Sequence, residues 1–205
     1  MVVNTGCYSL PFELQRLAEV HVDRELGGDY TRPERQRVWI FCFNIVVDQK
    51  GGGLMSFGTG KYQYEVVDNW AKRPVKWPFV EVADVAVDKD DNVFVFNRSE
   101  HPIMIFDKDG DYLDWWGADH FVSISARGAG PHGITIAADN TVYLTDTGDH
   151  TIKQFTADGK LLMTLGTRFH NAPPFSGEPF NRPTHVAVSS AGELYVSDGY
   201  GNARV

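Results

Sequence analysis

The sequence predicts an all-β fold made of consecutive four-stranded units, and three observations predict it. Two segments, Asp84–Gly117 and Gly133–Gly166, align with each other without a gap, and a third copy starts at His185 and runs to Val205. Within a copy, apolar residues alternate with others as half-buried strands require, with Val85 and Val87 followed by Val93 and Val95. Turn-forming residues recur at matched positions between these runs.

The elements of a copy follow in order. Asp90-Asp91-Asn92, Ala138-Asp139-Asn140 and Ser190-Ala191-Gly192 separate the first strand from the second. These residues tolerate a left-handed backbone or bond their own main chain. Asp109-Gly110 and Asp158-Gly159 mark a second hairpin, before Tyr112-Leu113 and Leu161-Leu162. Copies that begin near 84, 133 and 185 recur roughly every 50 residues, the period of one four-stranded propeller blade plus a variable connection. The fold class is therefore all-β, a partial β-propeller. Propellers close with about four to eight blades, so two copies and part of a third imply a piece of a longer protein or self-association through open sheet edges.

Residues 55–205 are expected to form this incomplete propeller, with Met55 as its natural start. Residues 1–54 contain no copy of the repeat and read as an irregular extension or as upstream sequence. Within them, Leu10–Val22 suggests a short amphipathic helix, and Leu26-Gly27-Gly28-Asp29, Thr31-Arg32-Pro33 and Gly51-Gly52-Gly53 read as breaks.

The formal charge of −8 argues against a broad phosphate-binding face, so no nucleic-acid partner is expected. Cys7 and Cys42, the two cysteines, precede the repeats and leave them without a disulfide framework. The longest apolar run, residues 38–47, is too short to span a bilayer and contains Asn44. No membrane association is expected, and a cytoplasmic location is the default.

Three segments resemble the NHL-repeat family and, within it, the peptidyl-α-hydroxyglycine α-amidating lyases. They are Val93-Phe94-Val95-Phe96-Asn97-Arg98, Pro131-His132-Gly133-Ile134, and Phe180-Asn181-Arg182-Pro183-Thr184 followed by residues 195–204. The resemblance implies a six-bladed propeller with a central zinc ion and a structural calcium. It implies cleavage of a peptidyl-α-hydroxyglycine to a peptide amide and glyoxylate. His132 would bind zinc, Tyr200 would be the base and Arg98 would hold the substrate carboxylate. The backbone carbonyls of Val85 and Ile134 would bind calcium. The family's remaining ligands would lie beyond Val205, and catalytic zinc usually takes three protein ligands, so this chain alone is expected to be inactive. Gly201 stands where the animal enzymes carry a disulfide cysteine, and His185 where Asp is common.

Each residue also has a plainer reading. His132 could cap a strand, Tyr200 could be a surface aromatic, and Arg98 could pair with Glu100 or Asp84. His101 and His150 share one repeat position, as do Asn97, Asp146 and Asp198, which points to architecture. Trp115, Trp116, Phe106 and Phe155 suit an inter-blade core, and His170 a solvated loop. Besides a lyase acting on a small-molecule or peptide substrate, the sequence admits a non-catalytic binding module or a lactonase-like propeller hydrolase.

Overall fold

The structure, a computed structural model, describes residues 16–23, 35–42, 56–60, 62–121 and 130–205. Contacts divide the chain into two units, Met1–Trp70 and Ala71–Val205.

In the first unit, β1 (Arg16–Asp23) pairs antiparallel with β2 (Arg35–Cys42), and β3 (Ser56–Thr59) with β4 (Tyr62–Glu65). The helix expected over Leu10–Val22 is thereby corrected, because residues 16–22 are strand. Ala18, Val20 and Val22 alternate with Glu19, His21 and Asp23, a period of two. The Val-Trp-Ile-Phe run in β2 supplies a partner of high strand preference. The breaks expected around Gly27-Gly28, Pro33 and Gly51–Gly53 lie outside the described residues.

The second unit is built from the repeats. Its first sheet has the order β5 (Val82–Val87), β6 (Val93–Asn97), β7 (Ile103–Phe106), β8 (Tyr112–Trp116). The second copies that meander with β9 (Pro131–Ile136), β10 (Val142–Asp146), β11 (Thr151–Phe155) and β12 (Leu161–Leu165). The third has β13 (His185–Val188) and β14 (Leu194–Ser197), then a helical turn, α1 (Gly199–Asn202). The first strands of the copies lie side by side, β5 against β9 and β9 against β13. The sheets therefore fan outward from one inner edge, as propeller blades do.

The turn chemistry explains why the copies match. Asp91, Asn140 and Gly192 occupy the same repeat position, and all have left-handed φ, 62°, 66° and 82°. Asp88 steadies its turn by accepting the N–H groups of Asp90 and Asn92, both at 2.8 Å, and the Ser189 hydroxyl accepts those of Ala191 and Glu193. Asn97, Asp146 and Asp198 are buried at the ends of the second strands, where Oδ1 of each accepts backbone N–H groups of Val80, Gly148 and Asn181 respectively.

Apolar contact joins the first two sheets. Phe94, Phe96, Ile103 and Ile105 pack with Ile134, Leu144 and Phe155. Trp116 crosses the seam, its ring 4.9 Å from that of Phe155 and its indole N–H donating to the Ala157 carbonyl at 3.2 Å. Trp115 departs from the expected inter-blade core. Adjacent strand residues face opposite ways, so Trp115 turns away from Trp116 and meets Trp77 and His101 edge-on. Phe106, which occupies the repeat position of Phe155, is fully buried against Phe79 and Tyr112.

Candidate active site

His132 is the second residue of β9, and Tyr200 lies in α1, at the end of the third copy. The fold brings His132 Nε2 within 3.3 Å of the Tyr200 hydroxyl, with the rings edge-to-face at 5.6 Å. The other imidazole nitrogen, Nδ1, lies 2.8 Å from the Thr184 carbonyl oxygen. A carbonyl only accepts, so Nδ1 carries the proton and Nε2 holds the lone pair. This lone pair can accept from the Tyr200 hydroxyl or bind a metal ion, but it cannot do both at once. Burial pushes the His132 pKa below the ordinary value. The Thr184 carbonyl partly opposes that shift, and the positive charge of Arg98 reinforces it.

Arg98 follows β6 and leans toward the same edge. Its Nε donates to the Pro131 carbonyl at 3.0 Å, next to His132. One terminal nitrogen forms an ion pair with Glu81 at 2.7 Å. The expected partners Glu100 and Asp84 are thus replaced. The antiparallel register that sets Val82 opposite Asn97 puts the residues just outside them, Glu81 and Arg98, side by side.

Asp84 does something the sequence does not advertise. Its carboxylate accepts the N–H of Val85 at 2.9 Å and that of Ile134, in the next sheet, at 3.0 Å. Across the same edge, His185 Nε2 lies 3.5 Å from it. In an antiparallel pair, a residue whose N–H points out of the pair also points its carbonyl outward. The carbonyl oxygens of Val85 and Ile134 therefore line the inner edge, where a hard cation would find oxygen donors. Among the described residues, no group of three or more His, Cys, Asp or Glu side chains is placed to hold a metal ion. His132 supplies one lone pair of the right kind, and a catalytic zinc site needs further ligands.

The turn carrying Tyr200 is held by polar contacts. Gly201 N–H donates to the Asn181 carbonyl at 3.0 Å, and Asn202 and Arg204 both reach the buried Asp198 carboxylate. A Cβ at Gly201 would stand 2.2 Å from the Asn181 side chain. A cysteine at Gly201 would collide with Asn181, which itself fills this space and bonds the Ala172 carbonyl. Arg182, two residues before Thr184, places its guanidinium over the Tyr200 ring at 5.2 Å. The motif Phe180-Asn181-Arg182-Pro183-Thr184 contained Arg182, but nothing in its spacing marked it as a neighbour of Tyr200.

His101 and His150 play structural parts. His101 stacks on Trp77 at 3.9 Å, and His150 Nδ1 accepts the Arg182 N–H at 3.1 Å. His170 is exposed, with Glu178 3.7 Å away.

The NHL repeat model matches residues 129–155 and 180–205. This chain carries NHL repeats. The chain is similar to peptidyl-alpha-hydroxyglycine alpha-amidating lyase 1 of Drosophila melanogaster, 40% identical over 93 residues, covering 44% of this chain and 15% of that protein. Lyase 2 of the same organism is 29% identical over 166 residues, covering 68% of this chain and 38% of that protein. NHL repeat-containing protein 3 of Homo sapiens is 29% identical over 157 residues, covering 72% of this chain and 43% of that protein. The chain therefore spans less than half the length of each of these relatives, and the similarity supports a lyase-like NHL propeller. No helix among the described residues is long and apolar enough to cross a membrane.

Proposed function

We propose that the complete protein cleaves peptidyl-α-hydroxyglycines to a peptide amide and glyoxylate. The observation that carries this reading is the meeting of His132 and Tyr200, 68 residues apart in sequence, with the His132 lone pair aimed at the phenol. In the reaction the substrate hydroxyl loses its proton, the C–N bond breaks as the aldehyde forms, and the departing amide nitrogen takes a proton. Released from His132 Nε2 and ionised, the Tyr200 oxygen would receive the hydroxyl proton and return it to the departing nitrogen, and a cationic side chain would hold the carboxylate. His132 Nε2 would be one ligand of a zinc ion, with the remaining ligands outside the described residues. When bound, zinc would make the substrate hydroxyl more acidic. The Val85 and Ile134 carbonyls would contribute to a structural calcium site at the inner edge.

The test is glyoxylate release from an N-acyl-α-hydroxyglycine by the complete protein. Tyr200→Phe should lower kcat by about a hundredfold or more, the scale of general-base catalysis. No release by the wild-type protein overturns the reading. A non-catalytic binding module is the second reading, because a propeller fold by itself does not fix function.

A further inference from the structure

Two arginines flank the His132–Tyr200 pair, and they differ in what already holds them. Arg98 donates through Nε to the Pro131 carbonyl at 3.0 Å and pairs with Glu81 at 2.7 Å, and only 12% of its side chain is exposed. Its charge is matched, and the Glu81 carboxylate would repel a second carboxylate arriving beside it. Arg182 has a different environment. Its backbone is fixed by the bond from its N–H to His150 Nδ1 at 3.1 Å, by a left-handed φ of 64°, and by the proline that follows. Its guanidinium lies over the Tyr200 ring at 5.2 Å, and no acidic side chain among the described residues forms an ion pair with it. An arginine resting on an aromatic face keeps its N–H edge available for a bidentate carboxylate.

We propose that Arg182, rather than Arg98, receives the carboxylate of the ligand at this site. This inference rests on the lyase reading for the identity of that ligand, an N-acyl-α-hydroxyglycine. In this arrangement Arg182 sets specificity for an acid terminus beside the reacting phenol. Arg98 positions the start of β9 through Pro131 and orders the edge that holds His132.

The experiment compares an N-acyl-α-hydroxyglycine with its methyl ester as substrates of the complete protein, using wild type, Arg182→Gln, Arg182→Lys and Arg98→Gln. Arg182→Gln should raise KM for the acid about tenfold to a hundredfold and leave KM for the ester unchanged. Arg182→Lys should recover part of the loss, because it restores charge without the fork. An unchanged acid KM in Arg182→Gln, with a raised acid KM in Arg98→Gln, would overturn the inference and leave the lyase reading standing. Should the wild type release no glyoxylate, calorimetric titration with the acid and the ester decides separately. Acid binding that disappears in Arg182→Gln keeps the carboxylate site while the lyase reading falls. Acid binding that is absent in wild type, or that survives in Arg182→Gln, removes the carboxylate site. Circular dichroism melts of each variant establish that it is folded before its constants are compared.

Discussion

At His132 three local facts act together: burial, a donated proton at Nδ1 and a phenol at Nε2. Protonating Nε2 would put a charge into a desolvated site and break the bond from the Tyr200 hydroxyl. His101, His120 and His150 share the direction of the shift, and burial is the main cause in each. A folded-state pKa below the ordinary value of 6.5 means that the unfolded chain binds more protons in the interval between the two. Stability therefore rises with pH through that interval. It is fully retained above 6.5, falls as pH drops toward the folded values, and levels off below them. Urea unfolding of the chain at a series of pH values should show the midpoint falling between about pH 7 and pH 5. Replacing His132 and His150 with Asn should flatten the slope. A midpoint that stays level or rises on acidification would show that these imidazoles are as easily protonated in the folded chain as in the unfolded one.

Among the elements, the two glycines Gly159 and Gly192 separate the cost of a turn from the cost of a seam. Both have left-handed φ, 88° and 82°. A Cβ at Gly192 would meet nothing within 4 Å, whereas one at Gly159 would stand 2.5 Å from the Trp116 ring of the neighbouring sheet. Gly192→Ala should cost about 1–2 kcal/mol, the penalty of left-handed backbone alone. Gly159→Ala adds an overpacked contact that brings about 1–3 kcal/mol more. Chemical denaturation of the two variants measures the gap, and equal losses would mean that Trp116 moves aside freely. The turns themselves were legible in the sequence, because Asp, Asn and Gly at one repeat position carry a local backbone requirement. The seam was legible only in part. Trp116 and Phe155 face it as expected, while Trp115 faces away because alternation is stricter than hydrophobicity. The β1–β2 hairpin was missed for a related reason. Its partner strand is separated from it by a further stretch of sequence, so the apolar residues of Leu10–Val22 offer a helix-like spacing with no mate beside them. At the site, His132, Tyr200 and Arg98 were found through motifs. The Glu81 partner of Arg98, the Asp84 clip and the neighbourhood of Arg182 and Tyr200 all depend on register between distant strands, which residue identity does not encode.

For the molecule as a whole, the repeats behave as units that lend stability to their neighbours. The second sheet has a neighbour on each side: the core with the first sheet includes Ile134, Val142, Leu144 and Phe155, and the core with the third includes Tyr143, Ile152 and Val186. Every residue of β10 is buried, as is every residue of β6. In β14, by contrast, no residue is fully buried, and Tyr195 is 53% exposed. In stacked repeats, stability is the sum of each unit and its interfaces, so the unit with two interfaces opens last. Amide hydrogen exchange on the 205-residue chain should therefore be slowest in β10, similar or slightly faster in β6, and faster by orders of magnitude in β14. Phe155→Ala, which hollows the first seam at a fully buried ring, should cost about 3–5 kcal/mol. It should also bring the exchange rates of β6 and β10 up together, because both sheets line that cavity. If β6 alone accelerates, the sheets fold as independent blades and the Trp116–Phe155 contact does not couple them. Protection in β14 matching that of β10 would contradict the nearest-neighbour account from the other side, since the Tyr200 turn would then be anchored by something other than the β9–β13 seam. The order of opening also bears on the site. His132 sits on the most protected sheet and Tyr200 beyond the least, so opening of the third copy should separate the pair while the imidazole stays in place.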